Sequence, residues 1–106
     1  MKELTRKEEQ ILLAIQHLRC DAYLITIREQ IHKFTGTYFS VGTIFAPLSR
    51  LEMNGFVTSY YQKERRFASK KPIKFYKLTE KGVRALEDLR KLNALMWRGI
   101  CLAVEE

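Results

Sequence analysis

Apolar residues recur at helical spacing in three successive blocks and then change to an extended pattern. Ile11, Leu12, Ile15 and Leu18 form the first block, one face of an amphipathic helix running to about Arg19. Thr5-Arg6-Lys7-Glu8 ahead of it has the form of a capping box, a hydroxyl at the N-cap with a carboxylate three residues on. A second box, Thr26-Ile27-Arg28-Glu29, predicts the start of a shorter helix. Ile27, Ile31 and Phe34 share its face, and Thr35-Gly36 ends it. The third block, Ile44, Leu48 and Leu51, lies on a helix from about Ser40 to Asn54, with Gly55 as a left-handed cap. Pro47 has no N–H for the carbonyl four residues back. The start of that helix is therefore expected to be irregular, with either a loose first turn or an N-cap at Thr43.

After Gly55 the period shortens. Phe56 to Tyr61 and Ile73 to Leu78 are rich in β-branched and aromatic residues and read as two strands. The mostly polar stretch between them reads as the tip of a long hairpin. Thr79-Glu80-Lys81-Gly82 opens a last helix carrying Val83, Leu86, Leu89, Leu92 and Met96, followed by an apolar stretch from Gly99 to Val104. Three helices, a hairpin and a final helix, at these lengths, predict a mainly α chain: a winged helix-turn-helix with a C-terminal dimerisation helix. Residues 1–82 make up the winged domain and 83–106 the dimerisation helix, in one compact unit.

Composition narrows the function. The chain has 106 residues, 46% of them hydrophobic and 29% charged, enough for one domain with one core and against disorder. Its net charge of +7 favours a polyanionic partner, nucleic acid or an acidic membrane surface. No apolar run approaches a membrane span and no signal-peptide pattern follows the N-terminus, so a cytoplasmic location is expected. Cys20 and Cys101 are far apart and outside any CxxC pair, which suits two partly buried free thiols. His17, Cys20 and His32 are too loosely spaced to make a strong metal signal, and neither a metal nor a cofactor is expected. No catalytic triad, carboxylate pair or phosphate-cradling loop is present, which argues against an enzyme.

In a helix-turn-helix the second helix of the pair enters the major groove of double-stranded DNA. With Ile44, Leu48 and Leu51 turned to the core, the third helix leaves Ser40, Gly42, Thr43, Ala46, Ser49 and Arg50 toward solvent. Small side chains permit close approach to a duplex. Ser40 can be a cap, a phosphate contact, or both, and Arg50 can read a guanine or hold a phosphate. The hairpin concentrates charge: Lys63, Arg65, Arg66, Lys70, Lys71, Lys74 and Lys77 are seven of the chain's 19 basic residues, with Glu64 the one acid among them. A segment so one-sided suits a wing on the phosphate backbone, against the alternative of a solubilising loop. The rival from another class is a winged-helix protein-interaction module with only non-specific affinity for nucleic acid.

The last helix has more apolar residues than one domain can cover. Val83, Leu86 and Leu89 suffice for the core, leaving Leu92, Leu95, Met96, Trp97, Ile100 and Val104 for a symmetry mate. Trp97 fits either an interface anchor or the wall of a cavity for a small aromatic effector.

Ser40-Val41-Gly42-Thr43-Ile44-Phe45-Ala46-Pro47-Leu48, Arg50-Leu51-Glu52, Gly55-Phe56-Val57 and Phe75-Tyr76-Lys77-Leu78-Thr79-Glu80-Lys81-Gly82 together resemble the signature of the PadR family of bacterial transcription regulators. Leu12-Leu13-Ala14-Ile15 and Ala22-Tyr23 resemble its first helix and the turn after it. The likeness covers about residues 4 to 86. It implies a homodimer joined by its C-terminal helices, a palindromic operator, usually repression, and often release by a small aromatic or drug-like effector. Phe45 stands where the family often has Tyr, and Ala68-Ser69-Lys70-Lys71-Pro72 stands where its wing commonly has a Gly-Gly-Arg run.

Overall fold

The computed structural model describes residues 4–63 and 71–103. Helices α1 (Arg6–Leu18), α2 (Leu24–Thr35) and α3 (Val41–Met53) precede strands β1 (Val57–Gln62) and β2 (Ile73–Leu78), and α4 (Glu80–Trp97) follows. The element order is the one the sequence predicts.

The first capping box forms as expected. Thr5 Oγ1 accepts from the Glu8 N–H at 3.1 Å, and Glu8 Oε1 accepts from the Thr5 N–H at 2.9 Å. The second does not. α2 begins two residues earlier than Thr26, with Tyr23 at the N-cap. Thr26 takes the third helical position, where its hydroxyl accepts from the Tyr23 N–H at 2.9 Å and donates to the Asp21 carbonyl at 2.6 Å. The threonine thus closes the turn from within the helix. α3 is capped at Ser40 rather than Thr43, since Ser40 Oγ accepts from the Thr43 N–H at 3.1 Å. Pro47 is buried inside a continuous helix. The expected irregular start is absent, and the proline fills core volume at the expense of one helix hydrogen bond.

The end of α3 sets the geometry of everything downstream. Gly55, at φ +79°, takes the left-handed conformation. Its N–H donates to the Glu52 carbonyl at 3.1 Å, and that of Phe56 donates to the Leu51 carbonyl at 2.9 Å. This is the paired closure that turns a chain sharply out of a helix, and it delivers Val57 directly into the core.

Ile11, Leu12 and Ile15 of α1, Ile27 and Ile31 of α2, and Ile44, Leu48 and Leu51 of α3 meet in one buried cluster with Ala14, Ala22, Val57 and Tyr76. Each such aliphatic side chain contributes about 1.5–3 kcal/mol on burial. Phe34 is not among them. It stands exposed on α2 with its ring edge-on to His17 at 5.1 Å.

The strands pair antiparallel, Val57 opposite Leu78 and Gln62 opposite Ile73. The segment between α1 and α2 adds a short third edge: Tyr23 bridges Phe75, and the Tyr76 N–H donates to the Ala22 carbonyl at 2.8 Å. Phe75 is fully buried, with Tyr23 edge-on at 5.4 Å and Tyr60 stacked at 5.7 Å. The base of the hairpin is therefore held from both sides.

α4 starts at Thr79, whose N–H donates to the Phe56 carbonyl at 3.0 Å, while Lys81 Nζ donates to the Asn54 carbonyl at 2.7 Å. Beyond that anchorage it leaves the core. Gly82 is its one buried residue, Leu86 packs partly against the core, and Val83 is 38% exposed rather than covering it. The helix ends at Trp97, so Ile100 follows it in non-helical chain and the helix spans 80–97 instead of continuing through 83–106. Among the described residues no helix is long and apolar enough to cross a membrane.

Candidate nucleic-acid interface

α3 crosses the core with Ile44, Pro47, Leu48 and Leu51 inward. Gly42, Thr43, Ala46 and Arg50 are exposed with Ser40 on the opposite side, and Ser49 is half-buried. The expected contact residues Ser40, Thr43, Ala46 and Arg50 thus share one open helix surface. Ser40 and Thr43 hydroxyls lie 2.7 Å apart, so the cap is made and both oxygens still reach solvent. Val41 and Phe45 are exposed as well, one turn apart, but on the flank of α3 that carries Glu52 rather than beside Thr43 and Arg50, and the sequence pattern does not place them in solvent. Their apolar character hid them, because periodicity alone assigns an apolar residue to the core.

The turn that aims this helix is clamped. Arg28 Nε donates to the Phe39 carbonyl at 2.5 Å, and Tyr38 stacks flat on His32 at 3.7 Å. Lys7 Nζ lies 3.1 Å from the centre of the Phe39 ring, and burial lowers the pKa of that amine. His32 is therefore occupied in a stack and His17 against Phe34. Among the described residues no group of three metal-ligating side chains forms. Cys20 and Cys101 are both exposed, not partly buried, because they fall in a surface turn and beyond the end of α4.

The wing divides into two parts. Lys63, Lys71 and Lys77 are exposed on the hairpin. Arg65, Arg66 and Lys70 lie outside the described residues. Lys74 differs from the free phosphate contact expected of it. Its ammonium is 3.1 Å from Glu52 Oε1 on α3, and Ser59 donates to the other oxygen of the same carboxylate. Register explains this: Ser59 faces Tyr76, two pairs from Tyr61 opposite Lys74, so Ser59 and Lys74 emerge on the same hairpin face as the core residues Val57 and Tyr76. That face looks at α3. The Ser59 hydrogen bond, then Lys74, pull the Glu52 pKa down against the opposing effect of burial, and Glu52 pulls that of Lys74 up. The carboxylate rivets α3 to the hairpin.

Glu52's share of the stabilisation is present above the ordinary carboxylate pKa and is lost as pH falls through its depressed value. Lys74's share is present below the ordinary ammonium pKa and is lost as pH rises through its raised value. The two side chains are 34% and 32% exposed, so solvent screening limits the pair to no more than about 1 kcal/mol. Thermal unfolding of Glu52→Gln should show a deficit near about pH 7 that closes toward about pH 3. A deficit constant with pH would remove charge from this account.

On α4, Leu92, Leu95, Met96 and Trp97 are exposed, Leu95 to 63% and Trp97 to 60%, and so is Ile100 after it. Val104 lies outside the described residues. Alongside runs a groove of about 710 Å³ between α4 and the start of α1, its apolar wall made by Leu4, Phe56, Ala85, Leu89 and Leu92. Trp97 does not line it.

A family model, that of the PadR-like family of transcriptional regulators, matches residues 11–88. The chain belongs to this family. Its members are regulators of transcription rather than enzymes, and this chain is a DNA-binding regulator of that family. Solved structures that share the fold include the following three. RosR of H. salinarum superposes with a TM-score of 0.74 at 19% identity, over 94% of this chain and 83% of that one. A PadR family transcription regulator of Clostridium difficile gives 0.69 at 24% identity, over 87% and 90%. A PadR-like regulator of Bacillus cereus gives 0.71 at 21%, over 84% and 82%. No protein of curated function matches the chain in sequence.

Proposed function

We propose that the protein is a sequence-specific repressor that binds a palindromic operator as a homodimer. The observation that carries this is the pairing of an open, small-residue recognition surface on α3 with a basic wing riveted to it through Glu52. Ser40 and the first N–H groups of α3 hold phosphate, and Thr43, Ala46 and Arg50 face base edges. Lys63, Arg65, Arg66, Lys70 and Lys71 follow the backbone beyond the groove. Lys74 contributes by holding the wing in place.

The dimer rests on the apolar end of α4. Leu92, Leu95, Met96 and Trp97 each leave about half or more of their surface in water, and a second copy covers it by two-fold symmetry, with Ile100 and Val104 at its edge. Two recognition helices then lie about 34–36 Å apart, one turn of DNA. Trp97 serves that seam as an anchor. A small aromatic effector is a second role for it, read by quenching of this sole tryptophan. No membrane partner is proposed, and the protein acts in the cytoplasm, where its DNA is.

Selection from a random duplex pool tests the reading: a two-fold symmetric consensus is expected, and a pool without enrichment would leave a protein-interaction module instead. The selected operator then separates the two contact types. Arg65→Ala with Arg66→Ala should weaken all sequences alike and flatten the log–log salt slope by roughly 0.9 per lost contact. Arg50→Ala should cost about 1–3 kcal/mol on the operator and relax preference at one position. An unchanged slope in the double variant would take the wing off the backbone.

A further inference from the structure

The exposed surface of α3 is unusual in what it offers a duplex. Val41 is 43% and Phe45 50% exposed, one helical turn apart, and exposed Ala46 follows next round the helix from Phe45. Gly42 adds no side chain, and nothing lies within 4 Å of where its Cβ would be. Arg50, the long hydrogen-bond donor exposed on α3, lies about 140° round the helix from Phe45. Phe45 also lies on the flank of α3 that carries Glu52, since about 3.6 residues per turn bring 45 and 52 nearly into line. It is therefore on the side toward the hairpin, whose lysines draw in the DNA backbone.

A phenyl ring and an isopropyl group pressed into a major groove exclude water without offering any hydrogen bond. Base edges there are polar with one exception, the 5-methyl group of thymine. Polar edges under these side chains would lose water and gain no partner, a penalty that discriminates against them. We infer that Val41, Phe45 and Ala46 form an apolar reader of thymine methyl groups, so that the half-site carries thymines beneath the first two turns of α3. This rests on the DNA-binding reading above and specifies what that surface reads.

The test uses the full-length protein and its pool-selected operator. Deoxyuridine in place of thymine at each half-site position removes only the methyl and keeps base pairing. Where a methyl meets Phe45 or Val41, each replacement should weaken binding about four-fold, the value of one buried methyl-sized group. Phe45→Ala should bind the thymine operator more weakly and lose most of the difference between thymine and deoxyuridine. Its half-exposed position leaves folding intact, checked by an unchanged unfolding transition. A specific operator indifferent to deoxyuridine overturns the inference and leaves the regulator standing. Sensitivity to deoxyuridine that survives undiminished in both Phe45→Ala and Val41→Ala also overturns it, by placing the methyl contact elsewhere. A pool with no enriched sequence overturns both readings together.

Discussion

Gly82→Ala is expected to cost about 3 kcal/mol and to lower the thermal midpoint by about 15 °C, with little effect from the same change at Gly42. The two glycines are both helical, and sequence alone gives no reason to separate them. At Gly82 an added Cβ would stand 2.2 Å from the Phe56 carbonyl oxygen and 3.2 Å from its carbon. Backbone cannot swing away as a side chain can, least of all here. That carbonyl already accepts from the Thr79 N–H at 3.0 Å, and the Phe56 N–H is tied to Leu51 in the closing turn of α3. Relief requires α4 to lift off the α3–β1 turn, which would break the Thr79 and Lys81 anchors together. At Gly42 the new methyl meets nothing, and helix propensity favours alanine by up to about 1 kcal/mol. Denaturant melts of the two variants decide the matter, and equal midpoints would show that α4 does not depend on this close approach.

The second large effect concerns assembly. Leu95→Glu should convert the proposed dimer to a monomer and reduce operator affinity by about 10²–10⁴, the gain that tethering a second half-site provides. Leu95 is 63% exposed and lies outside the core cluster, so the charge has little to disturb within one chain. A charge placed in an apolar two-fold interface meets its own copy as well as losing water. Sedimentation at micromolar concentration should give a dimer for the parent and a monomer for the variant, with equal thermal midpoints at dilutions where both are monomeric. Ending the chain at Arg90 should do the same. A dimeric Leu95→Glu protein would move the interface elsewhere, and a monomeric parent would remove it.

These two residues mark the limits of reading the chain by pattern. Helix faces were legible because the core demands every third or fourth residue. Ile11, Leu12, Ile15, Ile27, Ile31, Ile44, Leu48 and Leu51 are all buried as their spacing required. The Thr5–Glu8 box and the Gly55 cap were legible too, since each depends on neighbours within five residues. Thr26 misled for an instructive reason. A threonine followed by a glutamate three residues later satisfies the box motif, but the chain enters α2 from a β-like Tyr23 pinned to Phe75. That partner is 52 residues away in sequence, and the pairing places the N-cap at Tyr23 in preference to the local motif.

Local order, then, was written in the sequence: the number and type of elements, the inward face of each of the first three helices, the basic character of the hairpin, and the family itself. Tertiary structure alone decided where the elements touch. Only the strand register turns Lys74 toward Glu52 and away from the solvent that Lys77 faces. The approach of α4 to the α3–β1 turn reserves position 82 for glycine. Phe45 and Val41 are left outside, although their composition suggests otherwise. Periodicity records which side of an element avoids water. It cannot record which neighbour arrives on the other side, because that is fixed by contacts between residues far apart in the chain.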